Sequence, residues 1–346
     1  MSARLHLALA ALVVSILALI AWLTPPAGVV TRALLGALAA LALWYVWRWP
    51  ALERHLGSAT APAPGTLDDA PRAGETDGDG ARPRLLDLAV GFGANFFDTL
   101  GIGSFATSTA VLKFTRRIPD ERIPGTLNVG HALPTLTEAL IFIAAITVEP
   151  RLLISMIGAS ILGAWLGAGA VARMPRRAVQ VGMGSALAVA ALLFVATNLK
   201  WMPSGGHALG LSGMPFLLAV GGNLLLGALM TLGIGLYAPC LVMLSLLGLD
   251  PRAAFPIMMG SCAFLMPIGG VRFVRTRRYS APVALGFALG GPPAVLIAAY
   301  LVKKMPMLWL RWLVVAVVLY AAIMMLGSAL RRERTSLMAR AGGTQM

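Results

Sequence analysis

The chain has 346 residues, of which 58% are hydrophobic and only 12% charged, with a mean hydropathy of +0.81. Those values exclude an ordinary soluble domain and fit a polytopic helical membrane protein of roughly eight to ten spans. A formal charge of +14 would suggest nucleic acid in a soluble protein, but here the basic residues sit in short clusters between apolar runs, where they set orientation, so nucleic-acid binding is not expected.

Residues 5–23 form an apolar run after Arg4. No small-x-small cleavage site follows it, and the run ends in Trp22 and then Pro25-Pro26, so it reads as an uncleaved first span. The second span runs from about Val29 to Trp47 and closes on Trp44, Tyr45, Trp47, Arg48 and Trp49, an aromatic belt with a cation at the interface. Residues 51–84 change character: they hold Pro, Gly, Ala, Asp and Glu with hardly any large apolar side chain. Such a stretch cannot bury a core and is expected to be a disordered cytoplasmic linker.

The segment TLGIG occurs at Thr99–Gly103 and again at Thr231–Gly235, an offset of 132 residues. The same offset pairs Pro119 with Pro251, Pro124 with Pro256, Pro150 with Pro282 and Gly158 with Gly290. One residue of slip pairs Met174-Pro175 with Met305-Pro306. Scarce prolines recurring at one offset point to a duplicated unit, and doubled membrane segments interrupted by glycine are the pattern of a secondary transporter. The first copy has apolar elements near 86–113, 124–148, 151–173 and 177–198; the second has them near 214–248, 253–273, 281–302 and 307–329. The expected organisation is an N-terminal hairpin (1–50), the linker (51–84), repeat 1 (85–200), repeat 2 (201–330) and a cytoplasmic tail (331–346).

Loop charges set the topology. If all four elements of each copy crossed the membrane, the basic loops Arg272–Arg278 and Arg331–Arg334 would fall outside, against the positive-inside rule. From Leu85 to Leu100 the helix could be only ~24 Å long, short of the ~30 Å hydrocarbon layer. Gly101 and Gly103 then allow a break. A re-entrant element followed by three spans makes each copy odd, hence inverted relative to the other. The predicted fold is therefore all-α and polytopic: two inverted-topology repeats, each a glycine-broken re-entrant element plus three spans, preceded by a two-helix hairpin. Both termini are expected in the cytoplasm of a bacterial-type inner membrane. Ten full spans with a relaxed charge rule is the competing arrangement.

A helix that restarts after a break points bare N–H groups and its positive dipole end at whatever fills the cavity. Gly101, Gly103, Gly233 and Gly235 mark the breaks, with Ser104, Thr107, Ser108 and Thr109 after the first and Tyr237 and Cys240 after the second. Hydroxyls and amides suit an oxyanion; small residues for close helix packing are the bland alternative. A second constellation, Asn128, His131, Thr135 and Glu138, falls on one face of the predicted helix 124–148. Asp98 precedes the first break. An ionised carboxylate in mid-membrane costs at least ~2.5–3.5 kcal/mol, so Asp98, His131 and Glu138 should face a cavity or be paired, and they are the candidates for proton coupling. Their counterparts in the second copy, Met230, Ala263 and Gly270, do not ionise, so coupling chemistry is expected in the first copy.

Cys240 and Cys262 have neither metal-site spacing nor a disulfide context. No nucleotide-binding loop, HExxH, paired CxxC or nucleophile elbow is present, which argues against an ATP-driven pump or a membrane enzyme, and no cofactor or metal is expected.

The two GxG-broken elements, each followed by a short Pro-containing loop and three apolar elements, make the stretch from about Leu85 to Leu330 similar to the sulfite exporter TauE/SafE family. The TLGIG segments occupy the places of the family's glycine-rich signatures. The resemblance implies a permease for sulfur-containing anions such as sulfite, sulfoacetate or related organic acids, and places the N-terminal hairpin and linker outside the usual core. The glycine-rich signatures are often longer in the family than Gly103-Ser104 and Gly235-Leu236 are here. The expected partners are a small anionic substrate and the bilayer, with homo-oligomerisation left open. A membrane scaffold without transport and a permease for another solute, such as a metal cation, are the alternatives; Asp98 and Glu138 alone make a thin cation site.

Overall fold

The computed structural model describes residues 9–18, 28–58, 82–101, 103–119, 122–170, scattered positions between 181 and 201, 206–230, 235–306 and most of 308–327. Among these, regular structure is helical, with one isolated bridge between Ala208 and Leu249. The N-terminal helices are α1 (Leu9–Ala18) and α2 (Val29–Ser58). The helix α2 carries on past Trp47 into the stretch expected to be linker, across Pro50; residues 59–81, the tail 331–346 and Gly233 lie outside the described residues.

The first copy supplies α3 (Leu85–Thr99), α4 (Ser104–Phe114), α5 (Ile123–Gly130), α6 (Ala132–Ala145) and α7 (Pro150–Ala170). The second supplies α8 (Gly213–Met230), α9 (Tyr237–Leu246), α10 (Pro251–Arg275) and α11 (Ala281–Lys304). Four described helices, Val29–Leu52, Gly213–Met230, Pro251–Arg275 and Ala281–Val302, are long and apolar enough to cross a membrane, and the bent pair α5–α6 makes a fifth if taken as one span. The chain is a multi-pass membrane protein.

The helices α4 and α9 end in the same way. In α4 the Arg117 and Arg116 amides donate to Leu112 and Lys113 carbonyls at 3.1 and 3.3 Å; in α9 the Leu249 and Gly248 amides donate to Leu244 and Ser245 carbonyls at 3.0 and 3.2 Å. Every partner stands at the offset read from the sequence. Both caps need a left-handed residue, supplied by Gly248 (φ 95°) in one copy and by Arg116 (φ 47°) in the other, where the side chain makes the same turn costlier.

Each broken element closes at its base. Arg117, just past α4, donates from Nε and Nη2 to the two carboxylate oxygens of Asp87 at the start of α3, both at 3.1 Å, and the pair is buried. Asp87 also accepts the Arg84 amide at 2.8 Å. The chain thus returns at 117 to where it set out at 87, with α3 and α4 as the two arms of a hairpin. In the second copy the closure is backbone: the Ala208 amide donates to the Gly248 carbonyl at 3.4 Å, and the Asp250 amide to the Ala208 carbonyl at 2.8 Å. By length α8 could cross alone, yet this closure brings the chain back beside its start, and Met243 of α9 packs its sulfur against Gly222 of α8.

Two compact units divide the chain: residues 1–96, 107–144 and 263–296 form one, and 97–106, 145–262 and 297–346 the other. In the first, α2 is anchored on core helices: the Tyr45 hydroxyl donates to the Val129 carbonyl at 3.0 Å and Trp49 Nε1 to the Tyr279 hydroxyl at 2.9 Å. In the second, α7 and α8 lie in close contact because glycine permits it. A Cβ on Gly163 would fall 1.8 Å from the Leu224 carbonyl oxygen, and one on Gly227 2.2 Å from that of Ser160. Membrane helices use small residues this way because dispersion, not water exclusion, holds them together.

Asp87→Leu should destabilise the protein by about 3–5 kcal/mol, since it strands a buried guanidinium, while Asp87→Leu combined with Arg117→Leu should recover most of that loss. Thermal unfolding in detergent reads both; equal losses in the single and double variants would show that the pair is not the closure.

Candidate functional site

The helix expected over 124–148 is not continuous. It breaks at His131 into α5 and α6, bent by 40°. The cause is Pro134, which offers no N–H to the carbonyl of Gly130 and whose ring crowds it. Asn128, His131, Thr135 and Glu138 therefore lie on and between two helix segments at an angle, and not on one straight helix as the spacing predicted. Asn128 turns back on its own helix, donating to the Pro124 carbonyl at 2.9 Å, while Thr135 and Glu138 are buried on α6. The Tyr45 hydroxyl bonds the Val129 carbonyl two residues before the break, so the N-terminal hairpin supports the bend.

The break delivers the His131 ring between the two arms of the first hairpin. Its Nδ1 lies 3.0 Å from Asn95 Oδ1 on α3, and its Nε2 lies 2.9 Å from Ser108 Oγ on α4. The ring stacks on Phe287 of α11, centroids 4.8 Å apart and planes at 25°. All three polar side chains are fully buried. The approach of α11 depends on Gly91 and Gly130: a Cβ would fall 2.6 Å from the Phe287 Cα at the first and 2.9 Å from its Cβ at the second.

The bond pattern assigns the proton. Asn95 donates its amide nitrogen to the Gly91 carbonyl at 2.6 Å, so the oxygen is the atom facing the ring. An oxygen there requires Nδ1–H. In the neutral ring Nε2 is then the acceptor, and Ser108 donates to it. A relay of amide, imidazole and hydroxyl spans both arms in low dielectric.

Asp98, Gly101, Gly103, Ser104, Gly235, Tyr237 and Cys240 belong to the second unit. Gly101 and Gly103 take φ of 95° and 89°, which side-chain-bearing residues rarely adopt. The helix start after this break does not offer the bare amide that its position suggests: Asp98 Oδ1 accepts the Ser104 N–H at 2.8 Å. A carboxylate already occupies the anion position, where the dipole favours it. Tyr237 and Cys240 are buried in α9, whose start has no side-chain cap. Thr107 is half-buried on α4 and belongs to the first unit.

Three polar features escape a reading of the sequence. Asn95 is a lone amide in an apolar helix, one turn before Asp98, and that spacing is the available signal. The Asp87–Arg117 pair is hidden because its partners flank the hairpin. Asn223 on α8 is fully buried and donates to the Met156 carbonyl at 2.7 Å and to Ser261 Oγ at 3.0 Å, while Ser160 Oγ donates to the Ile157 carbonyl at 2.8 Å. The 132-residue offset carries Asn95 to Gly227, one helical turn from Asn223. Among the described residues no three His, Cys, Asp or Glu side chains cluster to hold a metal ion.

Asn95→Leu removes this acceptor for the Nδ1 proton and should cost about 1–3 kcal/mol, while Asn95→Asp, which keeps an acceptor, should cost less. Unfolding midpoints of the two variants in detergent check the order, and the reverse order would refute the assigned tautomer.

A family model described as Sulfite exporter TauE/SafE matches residues 2–194. The match begins ahead of the N-terminal hairpin, so the hairpin lies within the matched region and not outside it, as the resemblance had implied. No curated protein and no solved structure matches the chain.

Proposed function

The chain belongs to the sulfite exporter TauE/SafE family, and from that premise we propose that it is a proton-coupled permease for small sulfur-containing or organic anions such as sulfite or sulfonates. The observation that carries this reading is the buried Asn95–His131–Ser108 relay, held at a helix break between the arms of a broken element. Polar groups inside a membrane protein are costly and are kept where solute or protons pass. Discontinuous helices at such places are the usual architecture of secondary transporters. In this reading His131 and Glu138 in the first unit and Asp98 in the second are proton-coupling groups, and Thr107, Ser108, Asn128 and Thr135 in the first and Ser104 in the second are polar groups for the substrate. The second copy contributes Gly235, Tyr237 and Cys240. The relay contains no lysine or arginine, which suits weak, releasable anion binding over tight capture.

The same reading places the protein in a bacterial-type cytoplasmic membrane with both termini inside. Loop composition supports it: Arg84, Lys113, Arg116 and Arg117 flank the closure of the first hairpin, while the second closure has Glu149, His207, Asp250 and Arg252 around it. The positive-inside rule assigns the first closure to the cytoplasm and the second to the opposite face. Return of each broken element to its own starting point supports an odd number of crossings per copy, and so inversion between them.

Purified protein in liposomes should take up radiolabelled sulfite in response to a pH gradient, and His131→Gln should lower the gradient-driven component by about tenfold or more, equivalent to ~1.4 kcal/mol of lost coupling. Uptake no greater than that of empty vesicles across sulfite, sulfonates and carboxylates would sink the permease reading.

A further inference from the structure

We infer that the Ser108 hydroxyl is the coupling element: it donates to His131 when the ring is neutral and turns to hold the transported oxyanion once the ring is protonated. This deepens the permease reading and rests on it. The chain of bonds begins at Asn95. Its amide nitrogen is committed to the Gly91 carbonyl at 2.6 Å, so it cannot flip to offer a donor to the ring. Nδ1 therefore keeps its proton in both charge states, and only Nε2 changes. Asn95 is thus a positioning residue, acting on the exchange through the ring.

With Nε2 neutral, the Ser108 O–H points at it across 2.9 Å. When a proton arrives on Nε2, that nitrogen becomes a donor and Ser108 Oγ must accept. The O–H···N bond is replaced by N–H···O, the serine keeps its own hydrogen, and the net change is one proton gained. The hydroxyl hydrogen now needs another acceptor. Phe287, stacked on the ring, offers it no side-chain acceptor. A buried donor left without a partner costs about 1–3 kcal/mol. An anion whose oxygens only accept relieves that cost and gains from the new imidazolium charge, whereas a neutral donor ligand does neither. A sulfite or sulfonate group has this chemistry.

Other ionisable groups stand on the elements packed around His131. Asp87 on α3 is paired with Arg117, and Asp98 accepts the Ser104 amide. Lys113 closes α4, Glu138 lies two turns along α6, and Tyr45 of α2 is bonded to Val129. From Ala281 to Ala299, α11 has no acid or base. Linkage is reciprocal: whatever factor the proton adds to anion affinity, the anion adds to proton affinity. Proton and anion then move together, as in a symporter.

The test is ¹⁵N NMR of histidine-labelled full-length protein in nanodiscs, with His131→Gln assigning the signal. Without anion, near neutral pH, His131 should show the neutral tautomer protonated on Nδ1. Saturating sulfite at the same pH should convert it to the imidazolium. In Ser108→Ala sulfite should leave the ring neutral, and Ser108→Thr, which restores a hydroxyl, should restore conversion. A ring that stays neutral in wild type with sulfite, converts equally in Ser108→Ala, or carries its neutral proton on Nε2 overturns the inference. The two readings fail separately: anion flux in liposomes with an unresponsive His131 removes the coupling element alone, and flux equal to empty vesicles removes the permease.

Discussion

Backbone polarity in a medium without water is the constraint from which the rest of this structure follows. A helix satisfies its own amides and carbonyls, but every break frees some of them, and in hydrocarbon the protein must supply the partners. At the first break the carbonyl and the carboxylate of Asp98 take the Gly101 and Ser104 amides. At the Pro134 break the Tyr45 hydroxyl donates to the Val129 carbonyl, next to the Gly130 carbonyl that the proline cannot serve. The places where the backbone must be supported are the places where polar side chains gather, and the candidate site grows out of that requirement.

Close packing supplies the other half. With no strong water exclusion between lipid-facing helices, contact is made by letting backbones approach, and glycine decides where. Gly91 and Gly130 let Phe287 lie flat against His131, while Gly163 and Gly227 seat α7 on α8. These are separate contacts in separate units, built on one rule. The two copies close their hairpins with unlike chemistry, the first through an ion pair and the second through a backbone bridge. The turn geometry is the same at both closures, and what holds it differs.

Much of the architecture is legible from residue order. The offset of 132 foretells the paired caps at Arg116 and Gly248, since a turn that needs a left-handed residue recurs wherever its helix recurs. TLGIG foretells the break at Gly101–Gly103. The single straight helix expected through Asn128, His131, Thr135 and Glu138 fails because helical periodicity assumes an unbroken helix, and Pro134 removes that assumption. The open amide at Ser104 fails because Asp98, a candidate coupling group by its charge, is also a cap. Asn95 goes unnoticed because a single amide in an apolar run shows no partner until the partner is brought to it.

Sequence alone determined the membrane class and the break at Gly101–Gly103, because hydropathy and glycine act locally and leave their mark in residue order. Only the tertiary structure decided which side chains meet at each break. His131 meets Ser108 and Asn95 from 23 and 36 residues away, on two arms of a hairpin whose closure lies elsewhere again. Which nitrogen carries the proton depends on a further bond, from Asn95 to Gly91. Such bonds are selected by approach in space, and no local pattern records them.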